Sequence, residues 1–251
     1  MALYRRLPAL VTTLLLVATS GLAADRPLTL EEVVAKARAA LAADPADLDK
    51  VKSVRLIFTA ADERSRPLNV TTLTLAAGGL RLQSTADRDR GFEVAVCAGR
   101  LEGWATTKAD ALSARSIRPV PYEEFKKLRD MARDDLAFFA APPAATGTAS
   151  YRGPSEVAGR KTHAVEYAYD GGLRITRHFD ATTFVLVASD QATPKGELQR
   201  QQVESLTTVA GIRFPAKETI YVDGKKSGEV SYDQIQVNPA LTPGLFDFPS
   251  F

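Results

Sequence analysis

Few side chains in this chain are suited to chemistry. There are two histidines, His163 and His178, and one cysteine, Cys97. Two imidazoles cannot build a histidine-rich metal site, and a lone thiol can close no internal disulfide. If the strand-like run 165–169 extends back to His163 and pairs with the run 173–179, the two imidazoles could approach one face and share a metal or a proton. Surface or turn-proximal histidines are the alternative reading. Cys97 reads as a small buried hydrophobe. Glu123 and Glu124 fall in the first turn of an expected helix, where the dipole favours negative charge. Asp180, Asp190 and Asp233 are expected at strand ends, where carboxylates cap turns. No phosphate-cradling glycine loop, metalloprotease histidine pair, nucleophile elbow or cysteine-based zinc pattern occurs. The chain is therefore expected not to be an enzyme, and no catalytic residue, metal or cofactor is expected.

Charge narrows the partners. Residues 1–24 begin with Arg5 and Arg6, continue through an uncharged apolar run and end in small residues, the pattern of a cleaved secretory signal. The apolar run is shorter than the roughly 20 residues that span a bilayer, and no cysteine near its end could carry a lipid, so no stable membrane anchor is expected. The whole chain has 32 Lys+Arg against 30 Asp+Glu, and removing Arg5 and Arg6 leaves 32 − 2 = 30 against 30. A neutral mature chain without a dense basic block argues against a nucleic-acid partner. The mature protein is expected to be secreted and soluble. Residues 25–251 have the length of one large β domain or two small ones.

The elements follow from periodicity. Thr29-Leu30-Glu31-Glu32 is a capping box, and Val33, Ala37, Ala40 and Leu41 form an apolar stripe at helical spacing that Asp44-Pro45 ends. From Val51 the period becomes two: Val54, Leu56 and Phe58 alternate with Arg55, Ile57 and Thr59. Hairpin-like runs follow around Gly78-Gly79 and Gly99, each with one apolar and one polar face, as in an antiparallel sheet covered on one side. Pro121 opens a second amphipathic helix, with Phe125, Leu128, Ala132, Leu136 and Phe139 on one stripe and Asp130 and Asp134 among the polar remainder. Strand patterns then resume to Val237. Asp223-Gly224 suits a tight hairpin turn, Pro215 and Pro239 are expected at strand ends, and Phe246 and Phe248 would point the same way in an extended tail that plugs something apolar.

Taken in order, these segments resemble the periplasmic lipoprotein-carrier superfamily, the outer-membrane lipoprotein-sorting proteins and their LolA/LolB-like relatives. The likeness rests on the opening helix followed by residues 48–55, on Ala98-Gly99-Arg100-Leu101-Glu102-Gly103-Trp104 and on the helix after Pro121. It continues through Tyr151-Arg152-Gly153, His178-Phe179-Asp180, Gly211-Ile212-Arg213-Phe214-Pro215 and the tail 232–249. The resemblance implies one half-barrel domain over 25–251. Its fold would be mainly β with α: a strongly curved, incompletely closed antiparallel β-barrel of about ten to eleven strands, covered by a few α-helices. It also implies an apolar cavity that holds a lipid or the acyl chains of a lipoprotein. The candidate lining is Leu56 and Phe58, Leu80 and Leu82, Phe92 and Val94, and Trp104, with Phe125 and Phe139 from the covering helix. An envelope protein is the alternative partner, as for the sigma-factor regulators of the same superfamily. The carrier's Arg-Pro latch has no counterpart here, where the corresponding stretch reads Ala76-Ala77-Gly78-Gly79.

Overall fold

The computed structural model describes residues 26–77, 79–86, 93–99, 102–108 and 114–248. The predicted signal segment and Phe92 lie outside them. Helix α1 (Leu30–Leu41) begins at the capping box: the Glu32 backbone N–H donates to Thr29 Oγ1 at 3.3 Å, and the Glu32 carboxylate accepts from the Thr29 N–H at 2.9 Å. A short 3-10 turn, Pro45–Lys50, leads into β1 (Ser53–Asp62), β2 (Pro67–Ala76), β3 (Gly79–Ala86), β4 (Glu93–Ala98), β5 (Gly103–Lys108) and β6 (Ser116–Pro119). Helix α2 (Tyr122–Ala137) interrupts the strands. The chain then makes β7 (Gly147–Val157), β8 (Arg160–Tyr169), β9 (Arg174–Asp180), β10 (Leu186–Ala192), β11 (Leu198–Val209), β12 (Ile212–Val222) and β13 (Lys225–Val237).

All thirteen strands belong to one antiparallel sheet, ordered β6-β5-β4-β3-β2-β1-β13-β12-β11-β10-β9-β8-β7. Two meanders, one from each half of the chain, are joined where β1 pairs with β13. Among the described residues, strands β6 and β7 stay unpaired on their outer sides, so the curved sheet is an open barrel. They are also the two strands that periodicity hides: β6 is four residues long and mostly exposed, and β7 carries Gly153 and Pro154, residues an edge can tolerate. Register shifts leave an extra residue in β2, β7, β10, β11, β12 and β13, and they bend the sheet there. Pro215 sits opposite Leu206 inside β12 beside such a shift. It therefore does not end the strand as expected; the irregularity accommodates its missing N–H.

Alternation sets the two faces. Leu56, Leu73, Leu82, Val96 and Ala105 stand in one cross-strand row, facing the helices. Their neighbours Arg55, Thr74, Arg81, Cys97 and Trp104 make the row on the other face. Against the inner face, α1 packs Val33 and Ala37 on Val165, Tyr167 and Phe179, while α2 packs Ala132 on Leu75 and Leu80. The Asp223-Gly224 turn joins β12 to β13 with φ of 45° and 76°, as the hairpin reading requires.

The tail docks on the outer face. Phe246 packs on Cys97 and Trp104, Arg81 lies over the Trp104 ring at 5.6 Å, and the Arg81 guanidinium donates to the Leu245 carbonyl at 3.4 Å. Gly79 is required beneath it, because a Cβ there would stand 2.8 Å from the Phe246 ring. Phe248 does not share this burial: the tail turns at 243–246 instead of extending, and leaves Phe248 exposed. Burial pushes the Cys97 thiol up to about 12, so it is inert while the tail is down. Phe246→Ala should therefore unmask the thiol. Loss of about 1.4 kcal/mol of docking free energy raises the undocked population tenfold. Cys97 should then react about tenfold faster with a thiol reagent, and emission from Trp104, the sole tryptophan, should shift to the red.

Candidate ligand cavity

Between the inner face and the two helices lies a cavity of about 350 Å³. This is within the range of small-molecule sites, about 300–1,000 Å³. One end is apolar, built by Leu56 and Phe58 of β1, Leu73 and Leu75 of β2, Leu82 of β3, and Met131, Phe138 and Phe139 at α2 and its exit. The other end mixes polar and apolar groups. Asp134 and Asp135 come from α2, Arg177 from β9, Ser189 and Gln191 from β10, Gln201 from β11, Glu218 from β12 and Tyr232 from β13, beside Ile175, Leu186, Phe214, Val230 and Ile235 of the same strands.

The placement of α2 depends on an unusual exit. Phe138 and Phe139 both have positive φ, 46° and 69°, a region that costs a residue with a side chain about 1–2 kcal/mol. Their rings offset that cost: Phe138 meets Phe214 edge-on at 6.2 Å and Phe139 meets Phe179 at 4.9 Å. Arg38 of α1 donates to the carbonyls of Ala137 and Phe138 at 2.9 and 3.2 Å, satisfying the end of α2.

A buried ion pair fixes the helix to the sheet. Both terminal guanidinium nitrogens of Arg177 donate to the two carboxylate oxygens of Asp134, Nη1 at 2.8 Å, and the Tyr169 hydroxyl donates to Asp134 Oδ1 at 2.9 Å. The guanidinium lies between the Phe139 and Tyr167 rings, at 5.1 and 5.3 Å. Burial alone would pull the Arg177 pKa down, but Asp134 reverses this and holds it above the ordinary value. Next to it, Asp135 sees Arg177 only at 4.0 Å, and its side chain is 42% exposed toward the cavity it lines. Enclosure by protein raises its pKa to about 7, reinforced by Asp134 and Glu218 and opposed by Arg177. Glu218 is 6% exposed and accepts from the Tyr232 hydroxyl at 2.7 Å; burial raises its pKa, and that hydrogen bond opposes the rise. The Tyr232 ring meets Phe58 at 5.6 Å and so stands at the junction of the two ends.

The expected lining residues divide into four groups. Leu56, Phe58, Leu82 and Phe139 line the cavity. Leu80 and Phe125 are on the helix side of the sheet but are fully packed, Leu80 with Leu75 and Ala132, Phe125 with Ala98, Ala105 and Val120. Trp104 is on the opposite face, because one strand position separates it from the Ala105 row, and Phe246 covers it. Val94 stands opposite Ser84 in register, and Phe92 lies outside the described residues.

The histidines also separate. Although β8 and β9 do pair, His163 stands opposite Phe179, the strand neighbour of His178, so the two imidazoles occupy opposite faces. His163 contacts the Tyr151 hydroxyl at 2.7 Å and stacks on Phe184. On the outer face Ser155, His178 and Asp190 form a hydrogen-bonded chain with links of 3.1 Å. Its order resembles a serine-protease triad, but Arg200 occupies both Asp190 oxygens at 2.7 Å, and the cavity is on the other side of the sheet, at Ser189. Burial pushes the Asp190 pKa up, and Arg200 with His178 overcomes it to bring the group to about 2. Asp190 is thus a mid-strand ion-pair partner, and Asp233 accepts from Thr59 across the β1–β13 pair; neither caps a turn as expected. Asp180 does cap one, accepting from the N–H groups of Thr182 and Thr183.

No protein-family model and no curated protein matches the sequence. Solved structures match the fold at low identity. A DUF1329 family protein from Desulfovibrio piger aligns with a TM-score of 0.55 and 12% identity, over 87% of this chain and 97% of that one. An outer membrane lipoprotein-sorting protein domain from Vibrio parahaemolyticus gives 0.54 and 11%, over 87% and 96%. A LolA superfamily protein from Nitrosomonas europaea gives 0.54 and 11%, over 87% and 97%. The chain therefore has a LolA-like fold; at such identities the likeness carries architecture and not activity.

Two outcomes follow from the polar wall. Arg177→Leu should cost about 3–5 kcal/mol in denaturant unfolding by leaving Asp134 buried and unpaired, whereas the double variant with Asp134→Leu should recover much of that loss. An Asp135 pKa raised above its unfolded value means that the native state holds a proton the unfolded chain has lost. Its contribution to stability therefore falls as pH rises from about 4 through 7. Because Asp135 is partly solvated, the effect is a discounted one: Asp135→Asn should raise Tm at pH 8 by about 2–4 °C and leave it unchanged near pH 4, as read by thermal melts.

Proposed function

We propose that this chain is a periplasmic binding protein that holds the acyl chain of a lipid or lipoprotein in its half-barrel, within outer-membrane lipoprotein or lipid traffic. One observation carries this reading: a 350 Å³ cavity whose larger wall is apolar, enclosed between an open sheet and two helices. Each methylene transferred into such a space contributes about 0.8 kcal/mol, so chain length alone can supply affinity. An apolar concave face of this size needs a cover or an occupant in water. The fold shared with lipoprotein-sorting and LolA superfamily proteins supports the reading, as does the secretory pattern of residues 1–24. The function calls for no catalytic group and no cofactor: burial does the work.

The test is native mass spectrometry of protein purified from a periplasmic extract without detergent, followed by lipid extraction. The expected result is a stoichiometric acyl ligand. Leu82→Asp and Phe58→Asp should lower retention at least about tenfold, because a carboxylate beside the chain removes the transfer energy of about two methylenes. Trp104→Phe, on the far face, should retain ligand as the wild type does. An empty protein that captures an envelope protein would replace the lipid reading with that of a partner-binding sensor.

A further inference from the structure

Three side chains stand in one cross-strand row on the inner face. Arg177 of β9 is opposite Ser189 of β10 in register, and Ser189 is opposite Gln201 of β11. All three line the cavity. The row is not satisfied from within. Arg177 gives both terminal nitrogens to Asp134, yet its Nε–H, on a side chain only 7% exposed, has no acceptor among the described residues. The side chains of Ser189 and Gln201, half-buried beside it, make no hydrogen bond among the described residues. A buried donor without an acceptor is costly, and more so when the donor is charged, so the row calls for an oxygen. Hydrocarbon cannot supply one. An ionised carboxylate has the oxygen, but Asp135 and Glu218 line the same wall and would meet it with like charge. An uncharged carbonyl satisfies the donor without that penalty.

We propose that the row Arg177, Ser189 and Gln201 receives the ester carbonyl and the hydroxylated, uncharged head of an acyl ester, whose chain then lies along Leu56, Leu73 and Leu82. The proposal rests on the acyl-binding reading and specifies the class of ligand: an acylglycerol-like ester in place of a free fatty acid. The carbonyl oxygen accepts from Arg177 Nε–H. Ser189 and Gln201, each able to donate and to accept, take the hydroxyls. The row also sets a direction, because Arg177 is its buried member while Ser189 and Gln201 are more open. The ester therefore lies deeper than the hydroxyls. Arg213, exposed on β12 and also at the cavity, is the cation that an anionic head would meet instead.

Titration calorimetry on the delipidated protein tests the assignment with three ligands of one chain length: glycerol monododecanoate, glycerol monododecyl ether and dodecanoate. The ether keeps the chain and hydroxyls and lacks the carbonyl. The expected result is binding of the ester about tenfold tighter than the ether, the effect of one hydrogen bond to a charged donor, with dodecanoate weaker than the ester. Ser189→Ala and Gln201→Met leave no described group unpaired, and each should weaken ester and ether together by about threefold to tenfold while their ratio stays as in the wild type. Equal affinity for ester and ether overturns the carbonyl assignment, and a preference for dodecanoate overturns the uncharged head; either leaves the acyl reading standing. Unchanged affinity for the ester in both variants removes the row as the site of the head. Binding of none of the three ligands overturns the acyl reading as well. The wild-type comparison decides even if a variant fails to fold.

Discussion

A single buried ion pair, Arg177 with Asp134, determines where the covering helix can lie. An unpaired charge in this interior would cost several kcal/mol, so neither residue can be withdrawn from the other without a large loss. Asp134 projects from α2 and Arg177 from the inner face of β9, so satisfying the pair holds the helix across the mouth of the sheet. Tyr169 completes the carboxylate, and the rings of Tyr167 and Phe139 flank the guanidinium. The left-handed exit at Phe138 and Phe139 is tolerated because this arrangement, with Arg38 on the last carbonyls, specifies it from several sides.

The cavity is a consequence of how that helix is held. The half of the sheet built from β1 to β3 presents leucine, valine and phenylalanine inward, and the opposite strands set serine, glutamine, glutamate and arginine among Ile175, Leu186, Phe214, Val230 and Ile235. The helix packs Ala132 on Leu75 and Leu80 of the first half and is bonded by charge to β9 of the second, so it spans both, and apolar space remains beneath it beside Leu56 and Phe58. The outer face is built differently. There the tail seals Cys97 and Trp104, and a cross-strand ladder of Ser155, His178, Asp190 and Arg200 knits β7, β9, β10 and β11. Polar order outside and unfilled apolar volume inside are what the proposed acyl-holding function calls for.

Much of this was legible locally. The capping box, the proline-led helix and the Asp-Gly hairpin act through neighbours in sequence, so their residues announce them. The two edge strands did not announce themselves, because an edge buries too little to impose alternation. Arg177 carries a signal of its own: it interrupts the apolar alternation of Leu173, Ile175 and Phe179, and a cation on an inward face requires a buried acid elsewhere. Asp130 and Asp134 looked like ordinary solvated residues of an amphipathic helix, yet they are 1% and 2% exposed.

What the sequence determined by itself is the order of elements, their type and the alternation of each strand, since these follow from interactions within a few residues. Which face of each strand meets the helices was decided by tertiary pairing, because a shift of one position exchanges the faces; Trp104 and Ala105 are neighbours with opposite fates. The polar wall was decided there too. Asp135, Arg177, Glu218 and Tyr232 come from α2, β9, β12 and β13, and the pairing of β9 through β13 in one curved meander, with α2 pinned across it, brings them into one space.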